Sequence, residues 1–253
     1  MRQIKAIVKK LGRQFGIEIS RYQPEIPPAA RLCTELFPHW IARLRQGGPL
    51  QVVFDVGANR GQSVAHFRGV LPESTIYAFE PGEAAFAKLH AQAASDPAVR
   101  TLRMAVGDRD GEATLYENAA NVTNSLLQNA SRISEFAPAA AIAPVGTSPT
   151  SVTRIDTFCA THSIRRIDLL KIDTQGYERH VLEGAGKMLA PGSIRGIYME
   201  MLFAEYYRDQ AWAGELMELL RARGYRLFGV GEVAFDSRNG WTAADVMFLG
   251  ESA

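Results

Sequence analysis

The chain has 253 residues, 47% of them hydrophobic, enough to bury one full core with extensions. Its formal charge of +1 supplies no overall field for gathering a polyanion, so nucleic acid is not expected as a partner. Two cysteines, Cys33 and Cys159, and five scattered histidines offer neither a disulfide framework nor a spaced metal motif, which fits a reducing, cytoplasmic setting.

No run approaches the ~20 apolar residues of a membrane span, and the N-terminus lacks the apolar core and cleavage site of a secretory signal. Asn121-Val122-Thr123 and Asn129-Ala130-Ser131 match the glycosylation pattern, but without an export signal they read as chance. Ile4, Ile7, Val8, Leu11 and Phe15 recur at helical spacing, with Arg2, Lys5, Lys9, Lys10 and Arg13 between them. Residues 1–20 therefore read as a short basic amphipathic helix. It is expected either to cap the domain or form a dimer interface, or to touch an anionic membrane surface peripherally. Pro24, Pro27 and Pro28 end it, and Ala30 to Arg45 reads as a second helix. Residues 1–48 are thus an expected N-terminal helical extension, and 49–253 the main domain.

From Leu50 onward strands and helices alternate. Val52 to Val56 reads as a strand, Ser63 to Val70 as a helix, Thr75 to Glu80 as a strand, and Pro81 to Ala94 as a helix. A third strand is expected over Val99 to Ala105 and a short one over Ala113 to Tyr116. The stretch from Asn118 to Thr150 reads as a long loop with a weak helical core around Leu126 to Phe136, of the kind that forms functional lids. A helix follows over Ile155 to His162, then a strand over Ile167 to Ile172 and a helix over Tyr177 to Leu189. The strand Ile194 to Met201 and the helix Ala211 to Arg223 come next. Two final strands, Tyr225 to Val230 and Asp245 to Leu249, read as a hairpin. Such alternation implies a parallel sheet with helices on both faces and an antiparallel edge.

Asp55-Val56-Gly57-Ala58-Asn59-Arg60-Gly61 breaks the first strand into a glycine turn before a helix. Turns of this kind bring backbone close to a nucleotide and offer helix-start N–H groups. The second strand ends on Glu80, where a doubly wound fold places an acid on a ribose diol. The turn lacks the G-x-G-x-x-G of a dinucleotide site, and Asp55 beside a pyrophosphate would be repulsive. A carboxylate there suits a ligand with a cationic amine, as in S-adenosylmethionine, whose carboxylate the N–H groups of Gly57 to Gly61 are expected to hold. The bland reading makes Asp55 a turn cap and Glu80 a solvated strand end. Asp173 ends the strand Leu169-Leu170-Lys171-Ile172 beside the expected reactive centre; its bland reading, compatible with the first, is a cap for the following helix.

FDVGANRGQS, YAFEP, AVGDRDGEATLY, RIDTF, LLKIDTQGYERHVLEGA and IYMEM occur in an order and spacing that resemble the FkbM family of S-adenosylmethionine-dependent methyltransferases, from about Val52 to Leu249. The resemblance implies an α/β class I methyltransferase (Rossmann-like) fold: a mostly parallel seven-stranded sheet with helices on both faces and an antiparallel C-terminal hairpin. It also implies O-methylation of a hydroxyl on a glycan, a glycoside or a secondary metabolite. Carried over by position, Asp55, Gly57, Ala58, Asn59 and Gly61 surround the methionine end and Glu80 binds the ribose. Ala105, Val106 and Asp108 contact the adenine or its edge, while Asp173 and Glu200 line the acceptor side. The family commonly has Glu where this chain has Gln175, which puts any role of that acid as base or metal ligand in doubt.

A sugar hydroxyl is a poor nucleophile, so a base in reach adds a typical ~10²–10⁴-fold. The candidates are Asp173, then Glu200, then His180, which has a packed or solvated alternative. Asp173 with Glu200 is a thin ligand set for a divalent cation, and no metal is assigned. Tyr198, Phe203, Tyr206 and Tyr207 either stack on a sugar ring or belong to the core. Two rivals remain: a nicotinamide-dependent sugar oxidoreductase, which lacks its glycine motif here, and a catalytically inactive S-adenosylmethionine-binding protein, favoured only by Gln175.

Overall fold

A computed structural model describes residues 36–190, 192–236 and 238–250. The basic helix expected over residues 1–20, Cys33 and most of the proposed N-terminal extension lie outside the described residues. Helix α1 (Phe37–Arg45) leads into β1 (Val52–Val56), α2 (Gln62–Val70), β2 (Thr75–Phe79), α3 (Glu83–Ala93) and β3 (Val99–Leu102). Then come β4 (Ala105–Val106), β5 (Gly111–Asn118), α4 (Ala139–Ile142), β6 (Pro144–Thr153), α5 (Ile155–Thr161) and β7 (Ile167–Ile172). The chain continues through α6 (Glu178–Gly184), β8 (Ile194–Leu202), α7 (Ala213–Ala222), β9 (Tyr225–Asp236) and β10 (Gly240–Gly250).

The main sheet has seven strands in the order β3-β2-β1-β7-β8-β10-β9, with β10 alone antiparallel to its neighbours. Its central strands are buried on both faces, so they read as near-continuous apolar runs. Side chains alternate between two cores: Phe54, Val56, Leu170, Ile172 and Ile197 pack on one face, and Val53, Leu169, Tyr198 and Met247 on the other. Strand order reverses between β1 and β7, so their carboxyl ends open a crevice where such folds bind ligands. Among the described residues, no helix is long and apolar enough to cross a membrane.

Departures from the sequence reading are concentrated in the middle of the chain. The third strand stops at Leu102, and Ala105–Val106 instead joins a separate three-stranded sheet of order β4-β6-β5. The expected short strand extends to Gly111–Asn118 because Pro144–Thr153, read as loop, pairs antiparallel with it. Pro149 is tolerated there because β4 pairs only with Val152 and Thr153, leaving the earlier part of β6 as an edge.

The helix expected around Leu126 to Phe136 does not form. Ser125 N–H goes to the Tyr116 carbonyl and Ala130 N–H to the Tyr206 carbonyl, while Asn118 and Asn129 exchange amide hydrogen bonds. Distant partners thus replace the i→i−4 ladder, as Ser and Asn favour. Two 3₁₀ turns, Asn121–Thr123 and Ile133–Glu135, stand in its place. The C-terminal hairpin forms as expected but is longer on both strands.

Candidate active site

The glycine turn follows β1, with Gly57 at φ +79°, Asn59 at +48° and Gly61 at +94°. Gly57 is obligatory on two counts: the left-handed backbone, and a space in which a Cβ would stand 1.8 Å from the Asp173 carbonyl oxygen. The turn's N–H groups are not free for a ligand. Gly57 and Ala58 both donate to the Phe79 carbonyl, Asn59 to Glu80 Oε2 at 2.9 Å, Arg60 to Gln62 Oε1 and Gly61 to the Ala58 carbonyl. This corrects the expectation that these groups hold a ligand carboxylate: the adjoining end of β2 absorbs most of them.

Glu80 lies at that end, on the cavity wall and 7% exposed. Burial pushes its carboxyl up to about 7, against the opposing N–H groups of Gly82 and Asn59. Beside it the Asn59 carbonyl oxygen Oδ1 is buried without a hydrogen-bond partner, an acceptor that a ligand hydroxyl or ammonium would satisfy.

Asp55 does not reach the cavity. It is fully buried, accepts a hydrogen bond from Ser63 Oγ through Oδ2, and has Lys171 Nζ 3.1 Å from Oδ1. The cation beside it is therefore a lysine of the protein, not the ligand amine that the sequence suggested. Lys171 also donates to the Gly57 carbonyl at 2.7 Å and lies 3.5 Å from Asp173 Oδ2. Burial works against its charge, but Asp55 and Asp173 outweigh that and hold the ammonium protonated well above the ordinary lysine range.

Asp173 and Glu200, at the carboxyl ends of β7 and β8, both line the cavity. A single nitrogen joins them: Gln175 Nε2 donates to Asp173 Oδ1 at 2.9 Å and to Glu200 Oε2 at 3.0 Å. Gln175 Oε1 accepts the Tyr207 hydroxyl at 2.9 Å. Burial first, then the Asp173, Asp245 and Glu178 carboxylates, raise Glu200 well above the ordinary carboxylate range, with Lys171 opposing. Among the described residues no group of three or more His, Cys, Asp or Glu side chains is arranged to hold a metal ion.

Ala105 and Val106 lie on the cavity wall, beside Met104. Asp108 and His180 do not. Asp108 is engaged with the Tyr177 hydroxyl at 3.4 Å, and His180 stacks on the Tyr177 ring with centroids 4.0 Å apart. His180 sits on α6, behind that ring, so it is not placed to meet an acceptor. Gly61 likewise lies off the wall, packed against Leu89 and Gln92.

The cavity holds about 310 Å³, and residues 121–126 close one side of it. That segment is tied down from three directions: Arg60 donates to Asn121 Oδ1, Ser125 Oγ donates to the Gln175 carbonyl, and the Thr123 carbonyl lies 3.2 Å from the Tyr207 hydroxyl, whose one proton it shares with Gln175 Oε1. Lys171 was not assigned to the site by sequence reasoning, although it carried a signal, being a charge inside an apolar strand. The lid was expected only as the whole stretch Asn118 to Thr150, and Tyr207, read as a sugar-stacking ring or core, is buried in the core. Of the two glycosylation-like asparagines, Asn121 lines the cavity and Asn129 spends its amide on Asn118 and the Ile142 carbonyl.

A family model described as "Methyltransferase FkbM domain" matches residues 55–227. The "31-O-demethyl-FK506 methyltransferase FkbM" of Streptomyces tacrolimicus is 31% identical over 196 residues, covering 70% of this chain and 73% of that protein. Among solved structures, an rRNA methylase from Streptococcus thermophilus is similar at a TM-score of 0.46 with 12% identity, over 87% of this chain and 99% of that one. A fibrillarin from Aeropyrum pernix with natively bound S-adenosyl-L-methionine gives 0.43 with 11% identity, over 79% and 67%. Similarity that distant adds nothing to what the strand order already shows.

Proposed function

Because the chain belongs to the FkbM family of methyltransferases, we propose that it methylates a hydroxyl on a sugar or secondary metabolite, with S-adenosylmethionine as donor and Glu200 as base. The observation that carries this reading is the carboxyl pair Asp173 and Glu200 on the wall of the cavity that opens beside the glycine turn. The relative's name, which describes methylation of an oxygen on a secondary metabolite, supports the choice of acceptor.

The residues present suit the donor. Glu80, at the tip of β2, would take the ribose hydroxyls, and Ala105 and Val106 would flank the adenine. The unpartnered Asn59 carbonyl would meet a donor group at the methionine end. With the turn's N–H groups already used, the methionine carboxylate would rely on side-chain donors of the wall such as Gln62. When bound, the donor supplies a methyl group on a positively charged sulfur.

Glu200 is preferred to Asp173 as the base. Asp173 has one oxygen on Gln175 and the other near Lys171, whereas Glu200 has Oε1 without a hydrogen-bond partner among the described residues. Burial and the neighbouring carboxylates also raise its proton affinity, which makes its ionised form the stronger base. Glu200 takes the hydroxyl proton as the acceptor oxygen bonds to the methyl carbon and the C–S electron pair stays with sulfur. The wall aligns the reactants and excludes water, the main route to rate in a displacement of this kind.

The test is incubation of the full chain with methyl-labelled S-adenosylmethionine and a small-molecule extract from cells lacking the protein. Mass spectrometry should find labelled O-methyl products, absent with Glu200→Gln. Label appearing only on nitrogen or carbon would overturn the acceptor assignment.

A further inference from the structure

The side chain of Gln175 is fully committed at the heart of the site. Both amide hydrogens go to carboxyls, one to Asp173 and one to Glu200, and the amide oxygen accepts from Tyr207. Its backbone carbonyl accepts from Ser125 of the lid. The residue is held at φ +56°, a left-handed conformation that costs a non-glycine residue energy and persists only when its surroundings enforce it. Glu178 enforces it by accepting the N–H groups of Thr174 and Gly176. Gly176 lies so close to the Tyr207 ring that a Cβ there would stand 2.9 Å from it. The turn is therefore built around the placement of one amide.

We propose that Gln175 is a positioning residue for methyl transfer: its neutral amide donates to both carboxyls, holds them as a pair, and leaves Glu200 Oε1 to the acceptor. This rests on the reading of Glu200 as base. The neutrality matters because the surroundings are already acidic. Glu200 is faced by Asp173 beyond β7, Asp245 on β10, Glu178 on α6 and the hydroxyls of Tyr206 and Tyr207, with Lys171 the one cation among them. An amide offers two donors without adding charge. A carboxylate at the same position, as the family commonly carries, would remove both donors and set a third anion within hydrogen-bonding distance of the pair, so Glu200 would hold its proton to higher pH than it does in this chain.

The experiment follows Glu200 directly, with no acceptor needed. Full-length protein labelled with carboxyl-¹³C glutamate is titrated by NMR, the Glu200 signal being assigned by its loss in Glu200→Gln. Gln175→Glu should move the Glu200 midpoint up by about one pH unit or more, as like charges at this separation do. Gln175→Met, which keeps the size and removes the donors, should move it in the same direction, and either variant that folds decides the matter. In methyl transfer to the labelled extract, Gln175→Glu should shift the acidic limb upward by a similar amount while S-adenosylmethionine binds within about threefold of wild type, less than the tenfold that one pH unit represents. An unmoved midpoint, with Glu200→Gln still inactive, would overturn the role of Gln175 and leave the base standing. Full transfer by Glu200→Gln would overturn the base itself, and the positioning role with it.

Discussion

Lys171 on β7 and Asp55 on β1 are register partners in the parallel ladder, and their side chains form a buried ion pair of 3.1 Å. The pair sits directly under the cavity. Through the Gly57 carbonyl and Asp173, Lys171 joins the glycine turn to the carboxyl that ends β7. Two loops from distant parts of the sequence are thereby held at one charge.

Replacing Lys171 by Met should expose the cost of that arrangement. Asp55 would stay buried with its countercharge gone, a change that typically destabilises by about 3–5 kcal/mol. Urea denaturation of the variant measures it, and a loss below about 1 kcal/mol, typical of surface pairs, would show that Asp55 does not depend on Lys171.

Glu80 and Asp55 should separate in donor binding. Glu80→Gln alters a wall residue and should raise the Kd for S-adenosylmethionine about tenfold or more, the worth of a hydrogen bond to a charged group. Asp55→Asn alters a residue below the wall and should lower folding stability more than donor affinity. Calorimetry on both variants checks this; equal binding losses would return Asp55 to the donor seat.

Gly57→Ala should fail where Gly69→Ala succeeds. The first forces a Cβ against the Asp173 carbonyl at positive φ, and should cost about 3 kcal/mol or more. The second lies in α2 with nothing within 4 Å, and should gain about 0.5–1 kcal/mol from the stiffer unfolded chain. Thermal melts of the two side by side provide the comparison.

Stability of the ligand-free protein should fall as pH rises from about 5 to 7, with Glu178 a main cause. Burial lifts its carboxyl from 4.5 to about 7, although the Thr174 N–H and hydroxyl bonds oppose it. The folded state then holds a proton that the unfolded chain releases from 4.5 upward. Stabilisation is complete below the unfolded value and is lost as pH climbs to the folded one. Glu178→Gln keeps an oxygen for Thr174 and Gly176, removes the proton, and should flatten the dependence of Tm on pH. An unchanged slope would show that other groups, Glu80 or Asp245 among them, carry it.

Much of the architecture was legible in local pattern. Apolar runs carrying Asp55, Glu80, Asp173 and Glu200, each within two residues of its strand's end, mark strand tips because a sheet buried on both faces tolerates charge mainly at its ends. Apolar runs and helical spacing gave the alternation, and hence the parallel sheet with its reversed C-terminal hairpin, to within a few residues at most boundaries; the turn of the hairpin and the end of α6 differ by five or six. The family motifs lie on those same tips, which is why reading the pattern and reading the likeness converge.

What local pattern does not encode is partnership across the chain. Asp55 takes its countercharge from a residue 116 positions later, and Gln175 is held from one side by Ser125 and from the other by Tyr207. Pro144 to Thr153 becomes a strand only because Gly111 to Asn118 lies alongside it. Asp108 and His180 looked eligible by position, yet a turn and a stacked ring direct them elsewhere. Propensity and spacing are properties of neighbours, whereas hydrogen bonds and ion pairs between distant segments exist only once the sheet has brought their ends together.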